Sequence, residues 1–158
     1  MAPDRAIDDL DARLVGVLAR FPRVGVLETA RRLGVARGTA QARLDRLQAR
    51  GVIRGFGPDI DVAALGYGVT AFATLEIAQG RGHDVQQHLA RIPQVLEAHT
   101  ITGPGDLLVR IAARDNEHLQ QVIDRVLEVH GIRRTSTVIA LSSPVPYRVL
   151  PLVDEAAR

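Results

Sequence analysis

The feature that most constrains this chain is a change of hydrophobic period near residue 67. Up to Gly57 apolar residues recur at the spacing of amphipathic helices; from Val69 they recur at every second position, the spacing of a half-buried strand. The change falls across "GVIRGFGPDIDVAALG", a stretch with the proline and aspartates of a connection. The chain therefore reads as two modules. The expected division is a helical domain over residues 1–57, with a linker strand starting near residue 52, a connection over 58–66, and a second domain over 67–158.

In the first module, Leu10, Leu14, Val17, Leu18 and Phe21 form one helical stripe behind a cluster of aspartates suited to a helix N-terminus, and Phe21-Pro22 ends it. Val26, Leu27, Ala30 and Leu33 mark a short second helix stopped by Gly34. Ala40, Leu44 and Leu47 mark a third, with Gly51 as its C-terminal glycine. Only Gly34-Val35-Ala36 separates the second helix from the third, the length and glycine of a helix-turn-helix.

Charge singles out the third helix. The chain carries only +2, yet residues 1–57 hold eleven arginines against six acids, and residues 58–158 hold nine against twelve. A basic first module suits a polyanion. All 20 basic residues are arginine, which fits either phosphate and base recognition or a codon bias. Opposite the buried stripe of the third helix lie Gly38, Ala42, Asp45 and Ala49, small enough for close approach to a groove, flanked by Arg37, Gln41, Arg43, Arg46 and Arg50. A solvated surface helix is the plainer alternative, but such a face usually mixes signs. The expected contacts to double-stranded DNA are Arg37, Thr39, Gln41 and Arg43 at base or groove edges, and Arg46, Arg50 and Arg54 at phosphates. On that view Arg46→Ala flattens the salt dependence of binding.

Other classes are disfavoured. With no cysteine, disulfide scaffolds, thiol catalysis and Cys-based zinc sites fall away. Aromatic residues make up 3% with no tryptophan, which counts against stacking on single strands. No apolar run is long enough to span a bilayer, and "MAPDRAIDDLDARL" lacks the pattern of a secretory leader, so a cytoplasmic, nucleoid-associated protein is expected. His83, His88, His99, His118 and His130 show no metal-ligand spacing, and no phosphate loop or nucleophile elbow is present. Neither a metal, a cofactor nor a catalytic residue is expected.

The second module alternates strands and helices. Val69, Ala71, Ala73, Leu75 and Ile77 form one strand face; Val85, Leu89 and Ile92 a helix; Val95 to Thr102 a second strand. Leu107, Val109, Ile111 and Ala113 form a third strand, and Leu119, Val122, Ile123, Val126 and Val129 a long helix capped by Asp115. "IRRTSTVIAL" is the fourth strand. The order βαββαβ predicts an antiparallel sheet with both helices on one face, a ferredoxin-like sandwich in an α+β chain. The bare sheet face is best covered by a second copy, giving at least a dimer, with "SSPVPYRVLPLV" as an edge strand or a strap on the partner.

A basic helix-turn-helix, a short linker and a βαββαβ module carrying "TGPGDLLVRIAARD" and "GIRRTSTVIAL" together resemble the Lrp/AsnC (feast/famine) family of transcription regulators, from Ile7 to about Leu141. The resemblance implies a RAM/ACT-like second domain, a homodimer that assembles further into tetramers or octamers, and an amino-acid effector bound between subunits near Thr102–Asp106. It places Arg43 on the family's recognition-helix arginine, Gly103 and Asp106 on its Gly-x-x-Asp loop, and Thr135 and Thr137 on a "T-x-T" of the last strand. The expected effector residues are Gly103, Gly105, Asp106, Thr135, Ser136 and Thr137. From its residues alone, "GPGD" reads first as a strand-joining turn, and it is the resemblance that turns the reading toward a ligand loop. The chain departs from the family at Ala36, where a capping serine is usual, at Thr29, where leucine is usual, and at Gly105, where a bulkier residue is common and glycine is expected to enlarge the pocket. Two other readings carry different expectations: an effector-independent architectural DNA-binding protein, and an enzyme similar to sirohaem decarboxylases, which has little need of a basic recognition helix.

Overall fold

Asp8 starts the first helix. The computed structural model describes residues 7–158, so the start of "MAPDRAIDDLDARL" lies outside the described residues. Helix α1 (Asp9–Arg20) opens with a capping box: the Asp11 N–H donates to Asp8 Oδ1 at 2.9 Å, and the Asp8 N–H donates to Asp11 Oδ2 at 3.2 Å. Helix α2 (Val26–Leu33) ends at Gly34, whose φ of 71° lies in the left-handed region that favours glycine; the Val35 N–H then reaches back to the Ala30 carbonyl at 3.0 Å. Helix α3 (Arg37–Ala49) follows at once, and Ala36 supplies no side-chain cap. Leu14, Leu33 and Leu47 are buried together, with Leu10, Val17, Leu44 and Ile53 packed around them. Thr29 is buried without penalty, because its hydroxyl donates to the Gly25 carbonyl at 3.0 Å.

The expected linker strand near residue 52 does not form. Val52–Gly57 is irregular, since no strand among the described residues pairs with it and an unpaired extended segment gains no ladder bonds. A second correction concerns the tail, expected as an edge strand or strap of the second domain. Leu150–Ala156 forms a last helix instead, and its Val153, with Ala157 just beyond it, packs on the core of the first three helices. Pro151 sits in its first turn, where the missing N–H costs no bond. One compact unit thus runs to Asp59 and takes in Val145–Arg158; the other is Ile60–Pro144. The tail belongs with the first three helices, not with the sheet.

The second unit holds strands β1 (Val69–Ile77), β2 (Val95–Thr100), β3 (Leu107–Ala113) and β4 (Ile132–Ala140), with α4 (Gly82–Leu89) and α5 (Asn116–Leu127); the last helix above is therefore α6. The sheet is antiparallel with order β2-β3-β1-β4. Ala71, Ala73 and Leu75 of β1 and Val109 and Ile111 of β3 meet Val85, Leu89, Leu119, Val122 and Val126 in one core. The opposite face of the sheet carries Phe72, Thr74, Leu108, Arg110, Ser136 and Val138 and, among the described residues, no helix. Among the described residues no helix is long and apolar enough to cross a membrane.

Candidate nucleic-acid interface and ligand clefts

Helix α3 buries only Ala40 and Leu47 fully, and the stripe they begin orients the rest of the helix. Arg37, Gly38, Thr39, Ala42 and Ala49 are exposed, as are Arg50 and Arg54 beyond the helix. Among the described residues Arg37, Arg50 and Arg54 take part in no ion pair. Gln41 is half-buried and donates through Nε2 to Asp45 Oδ1 at 2.7 Å, a hydrogen bond that fixes the one acid on this face and leaves its charge in place. The surface left is small-residued and positive.

Arg43 and Arg46 stand apart from these. Arg43 Nη1 pairs with the Asp8 carboxylate and with Asp11 Oδ1 at 3.0 Å, and Arg46 Nη2 pairs with Asp11 Oδ2 at 2.6 Å. Asp11 is 1% exposed, so these partners take the place of water around its carboxylate. The hydrogen bond from Arg43 is the main cause that holds the Asp8 carboxyl below its ordinary range, against the raising effect of burial; the Asp8 carboxylate in turn raises the Arg43 guanidinium. Both arginines are expected to face DNA; in this structure their guanidinium groups are engaged on α1. From sequence the aspartates read only as helix-start residues. Their i,i+3 spacing at Asp8 and Asp11 is the signal that two cations could be held there.

In the second unit, Gly103 and Gly105 both have φ of 105°, and the loop folds back on β1. The Asp106 N–H donates to the Leu75 carbonyl at 2.8 Å, and Asp106 Oδ2 accepts from the Ile77 N–H at 2.6 Å. Asp106 is thus tied to the end of β1 and keeps Oδ1 unpaired among the described residues. It lines a cleft of about 230 Å³ with Gln79, Gln86 and Thr100. Within one subunit Thr135, Ser136 and Thr137, expected on a wall across the interface, do not line this cleft. Thr135 and Thr137 pair across from Leu75 and Ala73, on the helix-covered face, whereas Ser136 pairs with Thr74 on the bare face. Ser136 joins Thr74, Glu76, Pro104 and Arg134 around a different cleft of about 240 Å³. Strand alternation alone separates Ser136 from its neighbours, while Gln79, Gln86 and Thr100 carry no motif that could announce them.

Gly105 also corrects an expectation. A Cβ there would lie 2.4 Å from Thr74 Cγ2 and 3.3 Å from the Leu75 carbonyl oxygen, so the glycine marks a close approach of backbone to strand rather than an enlarged pocket. The histidines are spread over the fold; His88 Nε2 lies 2.6 Å from the Arg125 carbonyl and joins α4 to α5.

Comparison with known proteins agrees with this arrangement. The family profile described as the AsnC-type helix-turn-helix domain matches residues 7–48, and that of the Lrp/AsnC ligand binding domain matches residues 70–150. The HTH-type transcriptional regulator FL11 of Pyrococcus furiosus is 30% identical over 135 residues, covering 85% of this chain and 89% of the relative. The AsnC structure from E. coli is similar with a TM-score of 0.84 at 26% identity, covering 92% of this chain and 99% of that one. A feast or famine regulatory protein of M. tuberculosis, solved in complex with L-methionine, is similar with a TM-score of 0.79 at 26% identity, covering 90% and 97%.

Proposed function

Because the chain belongs to the Lrp/AsnC family of DNA-binding transcription regulators, we propose that it reads duplex DNA through the exposed face of α3 and that an amino acid bound at the Asp106 cleft modulates that reading. The observation that carries the first part is the set of exposed arginines without ion-pair partners around small residues on a helix held behind a three-residue turn. Arg37, Thr39 and Gln41 face base or groove edges, and Arg50 and Arg54 meet phosphates. Two subunits place their helices at half-sites about one helical turn apart or a multiple of it. The bare sheet face supplies the subunit contact. Phe72, Leu108 and Val138 give it apolar surface, and the buried Arg110 Nε has no acceptor among the described residues, as expected of a group completed by a second copy. The test is salt-dependent binding to DNA selected from random sequence: Arg37→Gln and Arg50→Gln are each expected to lower affinity, and the latter to flatten the slope of log K against log salt by about 0.9.

Asp106 Oδ1 suits an ammonium, and Gln79, Gln86 and Thr100 suit further polar groups of a small ligand. The methionine complex of the M. tuberculosis relative supports the same ligand class. A thermal-shift screen of the twenty amino acids is the direct measurement, since a ligand at 100 times its Kd adds about 2.7 kcal/mol to a native state that alone binds it. For a chain of this size that raises Tm by roughly 5–10 °C, and Asp106→Asn is expected to abolish the rise. A blank screen would favour the effector-independent architectural reading.

A further inference from the structure

We propose that Asp8 and Asp11 clasp Arg43 and Arg46 so as to fix α3 on the first turn of α1, and that these two arginines serve DNA reading as positioning residues that do not touch phosphate. The proposal rests on the DNA-binding reading above and assigns a separate task to two of the three arginines within α3.

Burial decides the matter. Asp11 is 1% exposed, and its two oxygens are occupied by Arg43 Nη1 at 3.0 Å, Arg46 Nη2 at 2.6 Å and the Asp8 N–H at 3.2 Å. An arginine that left Asp11 for a phosphate would leave a desolvated carboxylate behind, a penalty that one solvent-screened phosphate contact does not offset. Arg43 is also the better covered of the two, its side chain 25% exposed against 46% for Arg46. Helix α3 has no side-chain N-cap, and along its 13 residues only Ala40 and Leu47 are fully buried. That stripe, with Leu44 partly buried between the two, sets the buried face of the helix, and any residual rotation about its axis moves Arg37, Thr39 and Gln41 relative to a groove. Two guanidinium groups three residues apart, both held by carboxylates of a single capping box, remove that freedom.

The test is the salt dependence of binding by the full chain to a duplex selected by the unaltered protein from random-sequence DNA, measured between about 50 and 200 mM salt. Arg46→Gln is expected to weaken binding by a similar factor at every salt concentration, roughly ten-fold, with the slope unchanged; Arg50→Gln in the same series flattens it. Asp8→Asn keeps a good N-cap acceptor while loosening Arg43, and is expected to weaken binding with an unchanged slope. Arg43→Lys keeps the charge but cannot span both acids, so it too is expected to weaken binding. The proposal is overturned if Arg46→Gln flattens the slope by about 0.9, if Asp8→Asn binds more tightly with a steeper slope, or if Arg43→Lys binds as the unaltered chain does. Failure of the unaltered chain to bind any duplex in a salt-dependent way is a different result: it removes the DNA-binding reading itself.

Discussion

Single residues here carry charge or shape that their neighbours cannot replace. Asp8 faces Arg43, Arg46 and Asp11, and its folded carboxyl lies below the ordinary value chiefly through the Arg43 hydrogen bond. A depressed folded pKa contributes stability that is complete above the unfolded carboxylate value of about 3.9 and is lost as pH falls through the folded one. Asp8→Asn is therefore expected to unfold at lower urea than the unaltered chain at pH 7, with the gap closing below about pH 4; a constant gap across that range would remove the ion pair as its cause. Gly105 makes the opposite kind of demand. Its left-handed φ, and the 2.4 Å that would separate a Cβ here from Thr74 Cγ2, leave no room for alanine. Gly105→Ala is expected to cost about 1–3 kcal/mol, with part recovered by Thr74→Ser, while Gly103→Ala, which meets nothing within 4 Å, should cost less. Equal losses at the two glycines in urea unfolding would show that only φ matters.

At the scale of elements, Ala36 leaves the start of α3 without a side-chain acceptor although its φ of −64° and ψ of 148° suit a cap. Ala36→Ser is expected to stabilise the first unit by about 1 kcal/mol, read as a shift of the urea midpoint with an unchanged m-value. Helices α1 to α5 and strands β1 to β4 are legible in the sequence because each carries a periodicity that its own residues complete. Elements that depend on a partner are not. The segment 52–57 has strand-like residues and, among the described residues, no strand to pair with, and α6 is hidden behind Pro144, Pro146 and Pro151, of which the last is compatible with a helix's first turn. The site divides the same way. The exposed face of α3 follows from its own wheel, but the partners of Arg43 and Arg46 lie 32 to 35 positions earlier, where no helical wheel looks.

For the molecule as a whole, the bare sheet face is where the proposed assembly forms. Val138 is 62% exposed on that face, and Val138→Arg places a charge where a second copy is expected to pack. If the unaltered chain sediments as the proposed dimer, the variant should sediment at half that mass, and an unchanged mass would assign the subunit contact elsewhere. The return of α6 to the first unit has a topological consequence. The reading helices are connected to the rest of the chain twice: covalently through the segment after Ile53, and again through Val153 and Ala157 at the far end of the sequence. A protease nick between Gly55 and Asp59 is therefore expected not to release the N-terminal fragment. The two pieces are expected to co-elute on a sizing column without denaturant and to part in urea, so the C-terminal helix works as a second tether for the part of the protein that meets DNA.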